Sequence, residues 1–412
     1  MGSTRVVVTG LGTINPLGLT VEEFWDAAVA GRSGIGLITR FDPANFYVKV
    51  AGEVKGFDAY KHLDPKVADR NPRAVHYGLV AAQEAMKQAG INMGRECPER
   101  VGVSVAWMSE SDYIVKQAQM IERRGPRRVD PLFVTRSGAS APAMQIGMAF
   151  QAKGPNTSVH SLCASGAEAL GTAANFIRLG YADVMIAGGT HSCLSPLDMT
   201  GLDILGAVSR EPDPTKASRP FDAERSGFVF GEGAGMVILE SLEHARARRA
   251  TILAELGGAG WSFGPHDDSA SGTSAEACAM KVAMEQAGVA PSDVDYVNAH
   301  GTGTRLNDPT ETLAIKLAFK GHAKGLAVSS TKSMIGHAIT AAGAIESIVC
   351  VMALSTGVIH PTINYHTPDP ECDLDYVPNT ARRDDVDVCL TNSFGLGGEN
   401  CCLAFKKYGE RP

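Results

Sequence analysis

Runs of β-branched residues that alternate with helical runs of small residues constrain this chain more than any other feature. Strands are predicted at 5–9, 101–105, 158–162, 184–187, 235–240, 252–257, 296–299, 327–329 and 387–392. Helices are predicted at 21–30, 72–89, 164–179, 274–287, 308–319 and 336–355. Alternation of this kind puts a packed helix beside each strand and predicts a layered α/β fold. The two halves echo each other. Each opens with a strand and glycine-rich turn (7–12 and 256–260), and each carries a strand ending in a reactive side chain, Cys163 in one and His300 in the other. A boundary near residue 250 is expected, giving halves 1–250 and 251–412. An internal duplication would bring strand ends from both halves to one site, where open α/β sheets hold ligands.

Composition narrows the classes. An apolar content of 44% with 20% charged residues suits a globular protein. The net charge of −7 offers no general attraction to nucleic acid or an anionic membrane. Nine scattered cysteines without a C-x-x-C fit neither a disulfide framework nor a zinc site. Reduced thiols and a cytoplasmic location are expected. The N-terminus, Met1-Gly-Ser-Thr-Arg-Val-Val-Val-Thr-Gly10, enters a strand at once, so no secretory signal is expected. No apolar run is read as reaching the ~18 residues of a membrane span. The densest basic run, Arg123-Arg-Gly-Pro-Arg-Arg128, reads as a loop able to dock an acidic partner.

Three segments carry chemistry. In Ser158-Val-His-Ser-Leu-Cys-Ala-Ser-Gly166, Cys163 falls at a strand-to-helix elbow, where unpaired N–H groups and the helix dipole favour a thiolate. In Tyr296-Val-Asn-Ala-His-Gly-Thr-Gly-Thr304, His300 ends a strand and opens onto a small turn, with Thr302 and Thr304 offering hydroxyls to a polar ligand arm. In Ser329-Ser-Thr-Lys-Ser-Met-Ile-Gly-His337, a second histidine stands at an expected helix start, which would favour neutral imidazole able to donate to an oxyanion. Lys332 and Glu346 are expected to order this region electrostatically. The final glycine turn, Asn392-Ser-Phe-Gly-Leu-Gly-Gly-Glu-Asn400, has no βαβ unit after it, so it suits backbone donation to an oxyanion rather than a dinucleotide. Neither G-x-S-x-G nor H-E-x-x-H occurs, which disfavours α/β-hydrolases and zinc proteases.

Taken in order, these motifs resemble the β-ketoacyl-acyl-carrier-protein synthases, closest to the type II enzymes of dissociated fatty-acid synthesis. The likeness runs from Val7-Val-Thr-Gly-Leu-Gly12 to Leu403-Ala-Phe-Lys-Lys407. It includes Ser218-Arg-Pro-Phe-Asp222, Gly231-Glu-Gly-Ala-Gly235, Ser330-Thr-Lys-Ser-Met334 and Asp373-Leu-Asp-Tyr-Val-Pro378. The resemblance implies a thiolase-like, duplicated five-layer αβαβα fold and a dimer. It implies Cys163 as nucleophile, His300 and His337 as paired catalytic histidines, and Lys332 as their electrostatic support. The oxyanion hole would be the N–H groups of Cys163 and Leu396, and Thr302 and Thr304 would line the phosphopantetheine channel. The implied reaction is decarboxylative condensation of an acyl-Cys163 thioester with malonyl-carrier protein, with no metal or redox cofactor. Acyl-carrier protein is the implied partner, docking on Lys66, Arg70, Arg127 and Arg128. Asn298, Glu346 and Asn392 match a structural cation site of some relatives, and no metal is assigned to them.

Some residues depart from the family pattern. The stretch Val105-Ala-Trp-Met-Ser-Glu-Ser-Asp112 replaces a glycine-rich run, so Trp107 and Met108 are expected to reshape the acyl tunnel. Leu396 stands where a gating phenylalanine is usual, while Phe394 is retained. Gly206 takes a position that is often basic. These departures keep a second reading open: a ketosynthase subunit of a type II polyketide or aryl-polyene system, paired with a chain-length factor.

Overall fold

The computed structural model describes residues 4–264 and 269–409; Met1–Ser3, included in the reading of the N-terminus, lie outside them. Ten strands form the main sheet. They are β1 (Val6–Ile14), β2 (Val101–Ala106), β3 (Asn156–Val159), β4 (Val184–His191), β5 (Gly233–Ser241), β6 (Ala254–Phe263), β7 (Tyr296–Asn298), β8 (Ala327–Ser329), β9 (Val388–Phe394) and β10 (Glu399–Lys406). Their spatial order is β8-β7-β9-β10-β6-β1-β5-β4-β2-β3. Counted outward from the centre, both halves run first, fifth, fourth, second, third strand. Both also share the pattern antiparallel, antiparallel, parallel, parallel. Only Val7↔Glu255 and Val8↔Ala254 join β1 to β6.

Helices α1 (Arg73–Ala89), α2 (Ser111–Arg124), α3 (Ser165–Arg178), α4 (Ser269–Ala287), α5 (Asn307–Phe319) and α6 (Ala342–Thr356) complete the frame. The central pair, α3 and α6, packs on strands of both halves. Outside it, α1 covers β1, β5 and β4, while α4 covers β6 and β10 with α5 packed on it. The result is the duplicated five-layer αβαβα fold of the thiolase-like enzymes.

Close approach between layers explains two glycine-rich segments that the sequence reading took for turns. They are strand interiors. A Cβ on Gly12 would lie 1.9 Å from the Ala81 carbonyl of α1, and one on Gly260 2.0 Å from the Ala279 carbonyl of α4. Glycine is thus required for helix–sheet contact, at equivalent places in both halves.

Other differences have local causes. The strand expected at 158–162 ends at Val159, and the helix expected from 336 starts at Ala342, after a 3₁₀ turn. Strand β10 and the helices Ser111–Arg124, Ala141–Phe150 and Pro196–Ile204 were not predicted. The basic run is the end of α2 followed by a 3₁₀ turn at Pro126–Arg128, rather than a loop. The segment Ile339–Thr356 has the length and apolarity of a membrane span after all. It is 83% buried within the protein, as befits a central helix.

Candidate active site

Cys163 lies in a single 3₁₀ turn, Leu162–Ala164, between β3 and α3. Ser165 fixes this elbow: its Oγ donates to the Leu162 carbonyl at 2.6 Å and accepts the Ser161 N–H at 2.8 Å. The backbone N–H groups of Leu396 and of Cys163 itself favour the charged form of the Cys163 sulfur. Burial nonetheless pushes the thiol up to about 11, outweighing the Leu396 N–H and Lys332, which pull it down. The expected thiolate is therefore corrected. The elbow precedes the helix proper, and burial outweighs the groups that favour the thiolate, so the resting group is a thiol.

His300 follows β7. Glu311 on α5 fixes its backbone, accepting the His300 N–H at 2.8 Å and the Gly301 N–H at 2.7 Å. Burial raises Glu311 to about 7. His337 lies in the loop before α6, so the expected helix start does not act on it. Burial lowers its pKa well below the usual histidine value, helped by Lys332 and His191. The His337 ring is neutral, and its Nδ1 accepts the Ile339 N–H at 3.2 Å. The ring proton therefore sits on Nε2, which has no partner among the described residues.

These side chains converge. The Cys163 sulfur and one ring nitrogen each from His300 and His337 lie within 4.8 Å of one another. The two imidazoles meet edge to face at 5.3 Å. Beneath them Lys332 Nζ donates to Glu346 Oε1 at 2.5 Å, each side chain 1% exposed. The trio also has metal-site spacing, but the Lys332 ammonium acts electrostatically on both Cys163 and His337 and opposes a cation there. Asn298 Oδ1, Asn392 Oδ1 and Glu346 Oε2, the residues matched to a cation site of some relatives, are buried oxygens without hydrogen-bond partners among the described residues, and Lys332 on Glu346 opposes a cation there too.

A largely apolar cavity of about 1110 Å³ opens onto the trio. Of the residues singled out in the sequence, Thr302, Thr304, Phe394, Leu396 and Met108 line it. Phe394 is buried, 5.9 Å from the His300 ring, whereas Leu396 is 49% exposed. Trp107 is corrected: it is buried in the core cluster that α1 and β2 share, and it does not line the cavity. Adjacent residues leaving β2 face opposite sides, so only Met108 reaches it. Lys66 and Arg70 are exposed on the helix Pro65–Arg70, and Arg127 and Arg128 on the 3₁₀ turn; none lines the cavity. Sequence reasoning missed His191, Cys193, Phe228, Phe230 and Ile339 in its wall. The alternation Phe228-Val-Phe230 was a usable signal; His191 had none beyond its place at a strand end.

Comparison with known proteins places this geometry. The beta-ketoacyl synthase N-terminal domain matches residues 3–245 and the C-terminal domain residues 253–366. A 3-oxoacyl-[acyl-carrier-protein] synthase 2 of Synechocystis sp. is 43% identical over 98% of both chains. Another, from Coxiella burnetii, is 41% identical over 99% of both. Among solved structures, a type II polyketide ketosynthase in complex with its acyl-carrier protein superposes with a TM-score of 0.90 at 33% identity, covering 99% of this chain and 100% of that one. The ishigamide ketosynthase/chain length factor gives 0.90 at 34%, with the same coverage. With both domain families matched and a full-length relative above 40% identity, this chain belongs to the beta-ketoacyl synthase family.

Proposed function

We propose that the protein is a β-ketoacyl-acyl-carrier-protein synthase that elongates acyl chains by two carbons in fatty-acid synthesis. The observation carrying this reading is the convergence of Cys163, His300 and His337 in one cavity that Leu396 also lines. Cys163 loses its proton as it attacks an acyl thioester, and the carrier's phosphopantetheine thiol leaves protonated. The thioester carbonyl of malonyl-carrier protein then accepts hydrogen bonds from His337 Nε2–H and from His300. Carbon dioxide departs, and its bonding electrons form the enolate. The enolate carbon attacks the acyl-Cys163 carbonyl, whose oxyanion is held by the N–H groups of Cys163 and Leu396. Collapse breaks the C–S bond and releases β-ketoacyl-carrier protein, with Cys163 leaving as thiolate and taking a proton from solvent to return the thiol. Loss of carbon dioxide drives the step, so neither metal nor redox cofactor enters it.

The partner in this reading is acyl-carrier protein, met in the cytoplasm by a homodimer. A second reading rests on the neighbours from type II polyketide systems and on Leu396 at the gate: a ketosynthase paired with a chain-length factor. Intact mass of the protein after incubation with a panel of acyl-carrier proteins, wild type beside Cys163→Ala, tests both. Adducts from saturated chains, absent in the variant, support elongation. Adducts only from polyenoyl or β-keto chains support the second reading, and no adduct from any carrier sinks both.

A further inference from the structure

His191 is a cavity-wall residue with no part in the condensation steps above. It is the last residue of β4, and strand alternation turns it away from Thr190, whose Oγ1 donates to Ala74 on the α1 side. The ring lies instead in the central layer, where it lines the cavity that holds Cys163. It is 1% exposed. Its Nδ1 faces Thr340 Oγ1 at 3.4 Å. That hydroxyl already donates its proton to the Thr190 carbonyl at 2.7 Å, so toward the ring it only accepts. The His191 proton is therefore on Nδ1, and Nε2 is a bare acceptor. It has no partner among the described residues. Burial lowers the pKa to about 3, so the ring stays neutral across the working range.

The position along the acyl path follows from the neighbours. Thr340 adjoins Ile339, which lines the cavity and whose N–H holds His337 Nδ1. The His191 ring thus belongs to the wall of the cavity that holds Cys163 and His337, a wall that Met108, Phe228 and Phe230 make largely apolar. A wholly saturated chain leaves His191 Nε2 unpaired, and a chain with a hydrogen-bond donor near its thioester end satisfies it.

Building on the proposed acyl transfer to Cys163, we propose that His191 is a specificity-determining residue that selects acyl groups bearing a hydroxyl, or the hydroxyl of an enolised β-keto group, on the first few carbons. The hydroxyl donates to Nε2, and no bond is made or broken at His191.

The test is the rate of acylation of Cys163, followed by intact mass, with 3-hydroxyoctanoyl and octanoyl pantetheine thioesters. Wild type is expected to favour the hydroxylated chain by about tenfold, equivalent to about 1.4 kcal/mol. His191→Leu should abolish or invert the preference, read as the ratio of the two acylation rates, and His191→Gln, whose side-chain oxygen also accepts, should retain part of it. Equal wild-type rates, or an unchanged preference in His191→Leu, overturn the inference. The wild-type comparison decides the matter even where a variant fails to fold. Absence of any adduct on wild type counts against acyl transfer to Cys163 itself and so overturns both readings.

Discussion

At Cys163, five influences act on one sulfur. Burial raises the pKa, while the Leu396 N–H, the Lys332 ammonium and the residue's own N–H lower it, and Glu346 opposes Lys332. Burial wins, so the thiolate fraction at neutral pH is small and grows with pH. Alkylation by iodoacetamide is expected to accelerate about tenfold per pH unit from pH 7 to pH 10. A plateau near pH 7 would show a preformed thiolate and refute the assignment. The pair that tunes this sulfur is itself exposed to disruption. Lys332→Met removes the cation from a fully buried carboxylate and should cost about 3–5 kcal/mol at neutral pH. Burial already raises Glu346 above its unfolded value. For a carboxyl raised on folding, stability is lost as pH rises above the unfolded pKa, so the variant's deficit should shrink on acidification toward pH 4.5. Denaturation midpoints across pH check this, with Lys332→Met plus Glu346→Gln expected to recover much of the loss. A double variant no more stable than Lys332→Met would separate the pair from the deficit.

The central helices set the distance between the two halves of the site, because α3 follows Cys163 and α6 follows His337. They cross through glycine. A Cβ on Gly343 would lie 2.6 Å from the Ala167 N and 2.6 Å from Ser393 Oγ, and one on Gly166 2.8 Å from the Ala344 N. Gly343→Val should therefore destabilise by roughly 2–3 kcal/mol and lower acylation of Cys163, read by thermal unfolding and by mass. Normal stability and normal acylation would mean that the crossing has slack. This element scale is also where the sequence was most and least legible. β8, at 327–329, was read with its observed bounds because its β-branched core is short and flanked by turn residues. The elbow at Cys163 and the histidine-bearing strand end at 296–299 were equally plain. Gly10, Gly12, Gly258 and Gly260 misled, since glycine marks a turn and a close-packed strand alike, and only the facing helices distinguish them. The start of α6 was misread because small and apolar residues run into it through Ile339–Ala341 with no Gly or Pro to mark the break, where the backbone turns with Ile339 at φ 37°. His191 carried no periodic signal, because its role depends on Thr340, 149 residues away.

On the whole molecule, charge is distributed unevenly. The chain carries −7 overall, so an acidic carrier approaches against a repulsive background and must be drawn to local basic groups. The end of α2 and the turn after it present Arg123, Arg124, Arg127 and Arg128, all exposed, and none of the four has an ion-pair partner among the described salt bridges. Lys66 and Arg70 form a second exposed pair on the helix Pro65–Arg70. Exposed, hydrated charges of this kind act on encounter more than on the bound chemistry. Arg127→Glu plus Arg128→Glu is therefore expected to raise KM for acyl-carrier protein about tenfold while leaving turnover of small acyl pantetheine thioesters unchanged. The wild-type KM for the carrier should climb with ionic strength, and the charge-reversed variant should lose most of that dependence. Small thioesters serve as the internal control, since they carry no acidic protein surface to repel. An unchanged KM would remove this turn from the docking surface and shift attention to Lys66 and Arg70. Equal losses with both kinds of substrate would instead place the damage in the fold around α2, whose N-terminal end adjoins Met108 and the cavity wall.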